Sequence, residues 1–169
     1  MQSAHFNPKD VLDIKTLKTM FKEPSFWARQ GAEVIMVDSQ HPGYEGARAI
    51  DGKADTMWST QWEPASPGYP HEIVLDMKKE IPVPGLRLLP RQDGNRNGWI
   101  KDIEIYCSRD GKDWGAVVAK FTLTNDSRWK IVTFPGPVTT RYISVKALTP
   151  QDANHPWATL AELDLLTEE

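Results

Sequence analysis

The sequence predicts an all-β domain, an antiparallel β-sandwich or jelly roll of about eight strands. After residue 31, short segments with apolar residues at every second position recur along the chain, and Gly, Pro, Asn or Asp bounds each of them. The 169 residues include 13 Pro, 11 Gly and seven Trp, a composition that indicates many turns and large aromatic side chains. No convincing helical pattern interrupts these segments, so we expect two packed β-layers.

The first 30 residues differ from the rest of the chain. Asn7 is a candidate helix N-cap, and Pro8 suits the first helical position. Apolar residues then recur at helical spacing, at Val11, Ile14, Leu17 and Phe21. We therefore predict a linker or short helix over residues 1–30 and one β-domain over residues 31–169.

Eight segments after residue 31 carry the strand pattern. In residues 100–108, for example, Ile103, Ile105 and Cys107 fall on one side of an extended chain, and more polar residues fall on the other. The segments are residues 33–38, 71–77, 85–90, 100–108, 116–123, 129–134, 141–148 and 158–166.

Charge and hydropathy exclude several classes of partner. The formal net charge is −3, which gives no electrostatic basis for binding nucleic acid or an anionic membrane. No apolar run approaches the ~20 residues of a membrane span, so we expect no membrane insertion. Cys107 is the single cysteine, so no intrachain disulfide can form.

The stretch ARAIDGKADTMWST, residues 47–60, combines a tight turn with three short oxygen-bearing side chains, Asp51, Asp55 and Thr56. Ca²⁺ takes about six to eight oxygen ligands, many of them backbone carbonyls, so this loop alone cannot complete a shell. Glu162 is a candidate for the distant ligand. In the alternative interpretation, Asp51 caps local amides in an Asx turn. Spacing alone leaves both interpretations open.

Five blocks of sequence carry a resemblance to a known family. In order, they are ARAIDGKADTMWSTQW, YPHEIVLDM, LLPRQDGNRNGWIKDIEIYCSRDGKDWG, RYISVKAL and NHPWATLAELDLL. Together they resemble the coagulation factor V/VIII type C (discoidin) domain, and bacterial carbohydrate-binding module family thirty-two is the closest look-alike. The resemblance covers about residues 25 to 166. It implies a galactose-binding-domain-like sandwich of eight strands, usually appended to a secreted glycosidase or other glycan-active enzyme.

The resemblance also implies a structural cation where the first long loop meets the last strand. Its ligands would be the carbonyls of Arg48, Lys53 and Ala161, the carboxylates of Asp51 and Glu162, and the hydroxyl and carbonyl of Thr56. Six or seven oxygens suit Ca²⁺. The ion would link two parts of the chain more than 100 residues apart without a disulfide, and its binding would stabilise the folded state.

The family's ligand sites combine an Arg and an Asn beside an aromatic ring, and this pattern points to Arg91, Asn97 and Trp157. A guanidinium can donate to two adjacent sugar hydroxyls, and an amide both donates and accepts. An indole ring buries the C–H face of a sugar. In the alternative interpretation, Arg91 pairs with a nearby carboxylate, Asn97 serves the turn, and Trp157 closes one end of the sandwich.

Three further residues, Trp58, Trp62 and Ser59, follow from the same resemblance, and a fourth, Glu45, follows from its place in the GYEG loop. Trp58 is expected to pack in the core, and Trp62 to stand near the ligand. Glu45 is a candidate acceptor from a neighbouring loop. Ser59 occupies the place where many galactose-binding relatives carry a His that reads an axial hydroxyl, which puts galactose specificity in doubt.

We therefore interpret the chain as a non-catalytic carbohydrate-binding module of a secreted, periplasmic or cell-surface bacterial enzyme that degrades glycans. The expected partners are a galactose- or N-acetylhexosamine-type glycan and a covalently linked catalytic domain. The alternatives are an adhesion domain that binds phospholipid or protein, and a structural spacer without a ligand. Catalysis by the chain itself is disfavoured because its acids are scattered and its four His lack zinc-ligand spacing.

Overall fold

The computed structural model describes residues 25–166, so the helical pattern predicted between Asn7 and Phe21 lies outside the described part of the chain. Within it, one short helix, α1, precedes the strands. The elements in chain order are α1 (Phe26–Gln30), β1 (Glu33–Val37), a 3₁₀ turn (Gly46–Ile50), β2 (Trp58–Ser59), β3 (His71–Leu89), β4 (Asp102–Ser108), β5 (Ala119–Thr122), β6 (Lys130–Ala147), β7 (Thr159–Leu160) and β8 (Glu162–Leu165).

The two longest strands, β3 and β6, pair antiparallel along most of their length and organise the fold. β1 pairs with the first half of β3, and β8 pairs with its second half. β4 lies on the other side of β6 and carries β5 at the edge. The short strands β2 and β7 form a separate antiparallel pair. This antiparallel β-sandwich confirms the predicted fold class.

Some predicted strand boundaries are wrong. Segments 71–77 and 85–90 both belong to β3, and segments 129–134 and 141–148 both belong to β6. Prolines lie between the paired segments, and a proline removes a donor from the strand ladder. The backbone nevertheless stays extended there and continues to pair through irregular register, so the prolines do not end the strands. Conversely, the predicted strand 158–166 is divided into β7 and β8.

The core lies between the layers and includes two tryptophans from outside the main sheet. Trp27 of α1 is fully buried, and Trp58 of β2 is 1% exposed, which confirms its predicted packing role. The Trp58 indole N–H donates to the Ser39 carbonyl at 3.0 Å. α1 is tied to β8, because the Phe26 amide donates to the Asp164 carboxylate at 3.1 Å. None of the helices in residues 25–166 is long and apolar enough to cross a membrane.

Candidate functional site

Segments from four parts of the chain converge through backbone hydrogen bonds. Ser59 of β2 pairs with Thr159 of β7. The Thr159 amide donates to the Gly98 carbonyl, in the loop after β3, at 2.9 Å. The Ser59 amide donates to the Tyr44 carbonyl, in the loop after β1, at 3.1 Å. The side chains on and next to these hydrogen-bonded segments therefore lie close together.

Gly98 allows the closest of these approaches. Its φ is +92°, in the left-handed region that favours glycine. A Cβ on this residue would lie 2.6 Å from the Thr159 Cγ2 atom. Both the backbone conformation and the space at this crossing therefore require glycine.

The convergence forms an open cleft of about 210 Å³. Five of the six residues predicted to bind a ligand line it, namely Ser59, Trp62, Arg91, Asn97 and Trp157. The other lining residues are Tyr44, Met57, Asn95 and Thr159, which are not among the predicted ligand residues. Asn95 lies in the same RQDGNRNG stretch as Arg91 and Asn97, so the sequence already indicated a ligand site in its loop. The others come together only through the fold.

Arg91 is held in a defined orientation on the cleft wall. Its Nε and one terminal nitrogen donate to the two Asp93 carboxylate oxygens, at 2.9 and 2.6 Å, and its other terminal nitrogen donates to the Asn97 carbonyl at 3.0 Å. The guanidinium holds the pKa of the Asp93 carboxyl below its usual range. Hydrogen bonds within residues 25–166 thus use three of the five guanidinium N–H groups of Arg91. The other two remain as donors for a ligand.

The asparagines divide the roles of support and recognition. The Asn95 carboxamide oxygen accepts the Asn97 backbone amide at 2.8 Å, and the Asn95 amide donates to Asp93 at 3.1 Å. The half-buried Asn97 side chain has no hydrogen-bond partner in the described part of the chain. Its carboxamide therefore offers a donor and an acceptor to a ligand in the cleft.

Trp62 belongs to a stacked group of rings. Its ring lies parallel to that of His41, with the centroids 3.5 Å apart and an interplanar angle of 9°. Tyr44 meets Trp62 edge to face, at 5.0 Å and 74°. This packing fixes the orientation of the half-buried Trp62 ring at the cleft.

Trp157 lines the cleft from the loop before β7. Its ring stacks on that of His155, at 5.1 Å and 23°. The Trp157 indole N–H is buried and has no hydrogen-bond partner among residues 25–166. The ring is half-buried and does not belong to the hydrophobic core, unlike Trp58.

The structure does not bring Glu45 into the cleft lining. Its carboxylate instead accepts the Gly43 amide at 2.8 Å and the Arg48 Nε at 3.1 Å. Hydrogen bonds from the Glu45 and Gly43 backbone amides, and then from Arg48, lower the pKa of this carboxyl. Ser59 does line the cleft, but its buried hydroxyl already donates to the Thr60 carbonyl at 2.9 Å.

The loop of residues 51–56 shows the local turn that the sequence left as one of two interpretations. The Asp51 carboxylate accepts the Lys53 amide at 2.9 Å and the Thr56 hydroxyl at 2.5 Å. The Thr56 hydroxyl also lies 3.2 Å from the Lys53 carbonyl. The oxygens of these three residues are therefore close together on one turn.

Glu162 of β8 faces this turn and is in an unusual state for a carboxylate. It is only 4% exposed, and its Oε1 has no hydrogen-bond partner in the described part of the chain. Burial, together with the neighbouring Asp51 carboxyl, raises the pKa of Glu162 to about 9. An unpartnered buried carboxylate beside a second carboxylate fits a bound cation.

The donor chemistry restricts which cation would fit. Over residues 25–166, no three His, Cys, Asp or Glu side chains come together as metal ligands. A shell at this loop would therefore contain two carboxylates, completed by a hydroxyl and backbone carbonyls. Such an oxygen-only shell suits Ca²⁺ rather than a transition metal.

Comparison with protein families gives one match over most of the chain. Residues 34–163 match the family described as the F5/8 type C domain. Galactose oxidase from Gibberella zeae is 40% identical over 132 residues, which are 78% of this chain and 19% of the oxidase. Sialidase from Micromonospora viridifaciens is 38% identical over 133 residues, which are 76% of this chain and 20% of the sialidase. The chain thus spans about a fifth of the length of these curated relatives.

Solved structures with the same fold include two glycan complexes. The family 32 carbohydrate-binding module of Clostridium perfringens NanJ, in complex with galactose, is 28% identical with a TM-score of 0.71; the match covers 80% of this chain and 94% of that one. The module CpGH89CBM32-5 from Clostridium perfringens, in complex with GalNAc-β-1,3-galactose, is 25% identical with a TM-score of 0.72; the match covers 82% of this chain and 97% of that one.

Proposed function

The chain belongs to the F5/8 type C domain family, and from this premise we propose that it is a non-catalytic carbohydrate-binding module. One observation carries the proposal. Ser59, Trp62, Arg91, Asn97 and Trp157, which come from distant parts of the chain, line a single cleft. The similar modules from Clostridium perfringens were solved with galactose and with GalNAc-β-1,3-galactose, which supports a saccharide as the ligand.

The cleft offers the groups that a sugar ring requires. The two remaining N–H donors of Arg91 and the free carboxamide of Asn97 complement adjacent hydroxyls, which both donate and accept. Trp62 and Trp157 supply aromatic faces for the C–H side of the ring. The volume of about 210 Å³ is smaller than a typical drug-sized site, so we propose that one saccharide unit is bound. A galactose- or N-acetylhexosamine-type sugar is the proposed class.

The lining of the cleft also supports a non-catalytic role. Glycoside hydrolysis requires two positioned carboxylates that flank the scissile bond. No Asp or Glu is among the described residues that line the cleft. Asp93, on the same loop as the lining residues Arg91 and Asn97, forms an ion pair with Arg91. The cleft therefore suits binding without bond cleavage.

The proposed biological role is to hold a linked enzyme on its glycan. The chain covers only about a fifth of the galactose oxidase and sialidase that it resembles. We place it as a part of a secreted, periplasmic or cell-surface glycan-active protein. Tethering to a surface-bound glycan would raise the effective substrate concentration for the catalytic domain.

The proposal includes a structural Ca²⁺ at the loop of residues 51–56. Asp51, Thr56 and Glu162 would supply side-chain oxygens, and Arg48, Lys53 and Ala161 would supply carbonyls. The ion would neutralise the two neighbouring carboxylates and join the loop to β8. The orphaned Oε1 of Glu162 supports this assignment.

Calorimetric titration and a glycan array on the 169-residue chain test the function. We expect galactose or N-acetylgalactosamine to bind with a Kd of ~0.1–1 mM, or about −4 to −5.5 kcal/mol. The variants Arg91→Ala and Trp157→Ala should abolish measurable binding. Matched controls are Arg128→Ala and Trp129→Ala, because both side chains are exposed and neither lines the cleft. Binding of no glycan across the array would favour a spacer, and co-sedimentation with liposomes would favour an adhesion domain.

A further inference from the structure

The loop that presents Trp157 is fixed from behind by the buried His71 and the partly buried Tyr69. The His71 Nε2 lies 2.7 Å from the Pro156 carbonyl oxygen. The Tyr69 hydroxyl donates to the carbonyl of Trp157 itself at 2.8 Å. Two consecutive carbonyls of the loop thus depend on a pair of residues that do not touch the cleft.

The peptide group that follows is held from the other side. The Ala158 amide donates to the Thr60 hydroxyl at 3.0 Å, and the Ala158 carbonyl accepts the Thr60 amide at 3.0 Å. The Trp157 side chain therefore projects from a backbone that is constrained both before and after it. Loss of one constraint would change the orientation of the ring.

His71 makes two hydrogen bonds whose chemistry requires two protons. Its side chain is fully buried, and its Nδ1 lies 2.8 Å from the Asp38 Oδ2. A backbone carbonyl only accepts, so the Nε2 facing Pro156 must carry a proton. The contact between Nδ1 and the Asp38 carboxyl needs a second proton on one of its two atoms. Both bonds therefore coexist only while the His71–Asp38 pair holds two protons.

Loss of one proton breaks the weaker of the two bonds. The remaining imidazole N–H is drawn to the Asp38 carboxylate, because a charge-assisted hydrogen bond is stronger than one to a neutral carbonyl. The Pro156 carbonyl then faces a nitrogen lone pair instead of a donor. The pair with two protons therefore holds the residue before Trp157, and the pair with one proton does not.

We propose that Tyr69 and His71 are positioning residues for Trp157, and that the His71–Asp38 pair makes the orientation of the Trp157 ring depend on pH. Saccharide affinity then falls as the pH rises. The part about affinity rests on the proposed function, whereas the part about the ring does not.

The other titratable groups near His71 lead to specific controls. The Tyr69 ring lies 4.6 Å from the His71 ring, and burial, followed by the Asp38 charge, raises the pKa of Tyr69 above its usual range. Tyr69 therefore remains a donor over the whole neutral pH range. His155 lies on the loop itself, with its Nε2 3.5 Å from an Asp152 carboxylate oxygen. On the neighbouring strand β6, His71 pairs with Ala147, which carries no charge.

The glutamate beside His71 is engaged elsewhere. The Glu72 amide donates to Asp38 Oδ1 at 2.8 Å, and the Glu72 carboxylate lies 3.6 Å from the Lys146 Nζ. His155 is therefore the second histidine whose contribution must be separated from that of His71.

The first experiment needs no ligand. In the ¹⁵N-labelled chain, the Trp157 indole N–H resonance is assigned with Trp157→Phe and followed from about pH 5 to about pH 9. We expect it to shift with the same midpoint as the His71 ring nitrogens. In His71→Gln the amide nitrogen takes the place of Nε2 and donates without titrating, so the indole resonance should stay at its acidic position. His155→Phe keeps the stacked ring and should retain the shift.

A pH-dependent shift of the Trp157 indole resonance in His71→Gln would overturn the proposal. Loss of that shift in His155→Phe would do the same. If His71→Gln does not fold, Tyr69→Phe provides the test, because it removes a single hydroxyl. This variant should move the Trp157 indole resonance at every pH and keep the pH-dependent shift. An unmoved resonance in Tyr69→Phe would equally count against the two positioning roles.

The second experiment measures galactose affinity at both ends of the same pH range. Loss of one ordinary hydrogen bond predicts affinity about three- to tenfold weaker at the alkaline end. The affinity of His71→Gln should not change with pH. If galactose binds at no pH while the indole resonance still shifts, the proposed function fails for galactose and the positioning role stands. If galactose binds equally at all pH values, the coupling between ring and affinity is wrong.

Discussion

Arg91 and Asp93, two residues apart on the loop after β3, form an ion pair in which two guanidinium nitrogens meet both carboxylate oxygens, at 2.9 and 2.6 Å. Such a bidentate pair fixes the plane of the guanidinium. Arg91 is the only positive charge among the described residues that line the cleft. Its orientation therefore depends on a neighbour that does not line the cleft itself.

We predict that Asp93→Asn weakens galactose binding about three- to tenfold in calorimetric titration, because Arg91 loses its charge-assisted support. Asp113→Asn is the matched control, since Asp113 is exposed and does not line the cleft. Because Arg91 holds the pKa of Asp93 below its usual range, this pair stays ionised at neutral pH. Unchanged affinity in Asp93→Asn would contradict the support role.

Gly98 gives a prediction about the assembly of the cleft. Gly98→Ala places a methyl group 2.6 Å from the Thr159 Cγ2 in a left-handed conformation. We expect a loss of about 2–3 kcal/mol in the free energy of unfolding, measured by urea denaturation. Gly94→Ala separates the two causes, because Gly94 has a φ of +82° but no atom within 4 Å of the added methyl. That control should lose only about 1 kcal/mol.

A double variant tests the contact directly. Thr159→Ser removes the Cγ2 atom and keeps the hydroxyl that donates to the Gly98 carbonyl at 3.0 Å. Gly98→Ala should therefore cost less in the Thr159→Ser background than in the native one. Equal costs in both backgrounds would show that the backbone conformation, and not the contact, requires glycine here.

The cation site predicts a response to Ca²⁺ and to its removal. Ca²⁺ at 100 times its Kd should stabilise the folded chain by about 2.7 kcal/mol, and EGTA should lower the Tm accordingly. Glu162→Gln should remove most of this response in differential scanning calorimetry. Without Ca²⁺ the variant should be at least as stable as the native chain, because the buried Glu162 carboxyl, whose pKa is about 9, must take up a proton on folding at neutral pH and Gln need not.

Glu80→Gln is the control for this experiment, because Glu80 is a surface carboxylate whose contact to Arg109 is long, at 3.8 Å. It should respond to Ca²⁺ like the native chain. A native Tm that EGTA leaves unchanged would argue against the ion.

The fold class followed from the sequence because period-two alternation in segments such as 100–108 is a local signal that survives in β4. The length of β3 did not, because the sequence pattern gives separate strands at residues 71–77 and 85–90, whereas β3 continues to pair with β6 across Pro82 and Pro84. Strand continuity across prolines depends on a distant partner strand. Local patterns do not contain that information.

Only part of the candidate site could be predicted from the sequence, because contacts between distant segments bring its other residues together. Arg91 and Trp157 came from a resemblance to a family, not from their spacing. Thr159 joins them because β2 and β7 pair, which no local pattern indicates. The prediction places Glu45 in the site, but in the folded loop its carboxylate accepts hydrogen bonds from Gly43 and Arg48 instead. The support that His71 gives to the Trp157 loop likewise depends on a contact between residues 85 positions apart.

An ion pair between the buried Asp76 of β3 and the partly exposed Arg141 of β6 joins these two strands and predicts acid sensitivity. Arg141 donates to the two Asp76 oxygens at 2.9 and 3.1 Å, and the Lys78 amide donates at 2.7 Å. The Arg141 hydrogen bonds are the main cause that lowers the pKa of Asp76. A carboxyl whose pKa is lower in the folded state stabilises the fold above its unfolded pKa, which is about 4. This contribution is lost as the pH falls through the folded pKa.

We therefore expect Asp76→Asn to cost about 1–3 kcal/mol in the free energy of unfolding at neutral pH. The difference between native and variant chains should shrink below about pH 4, where the native carboxylate becomes protonated as well. Urea denaturation across this pH range measures both effects. Asp110→Asn removes an exposed turn carboxylate whose pKa is also lowered, first by the Asp113 and Lys112 amides, and thus controls for acid effects unrelated to an ion pair. A cost in Asp76→Asn that does not vary with pH would mean that packing around Asp76, and not its charge, stabilises the junction of the two long strands.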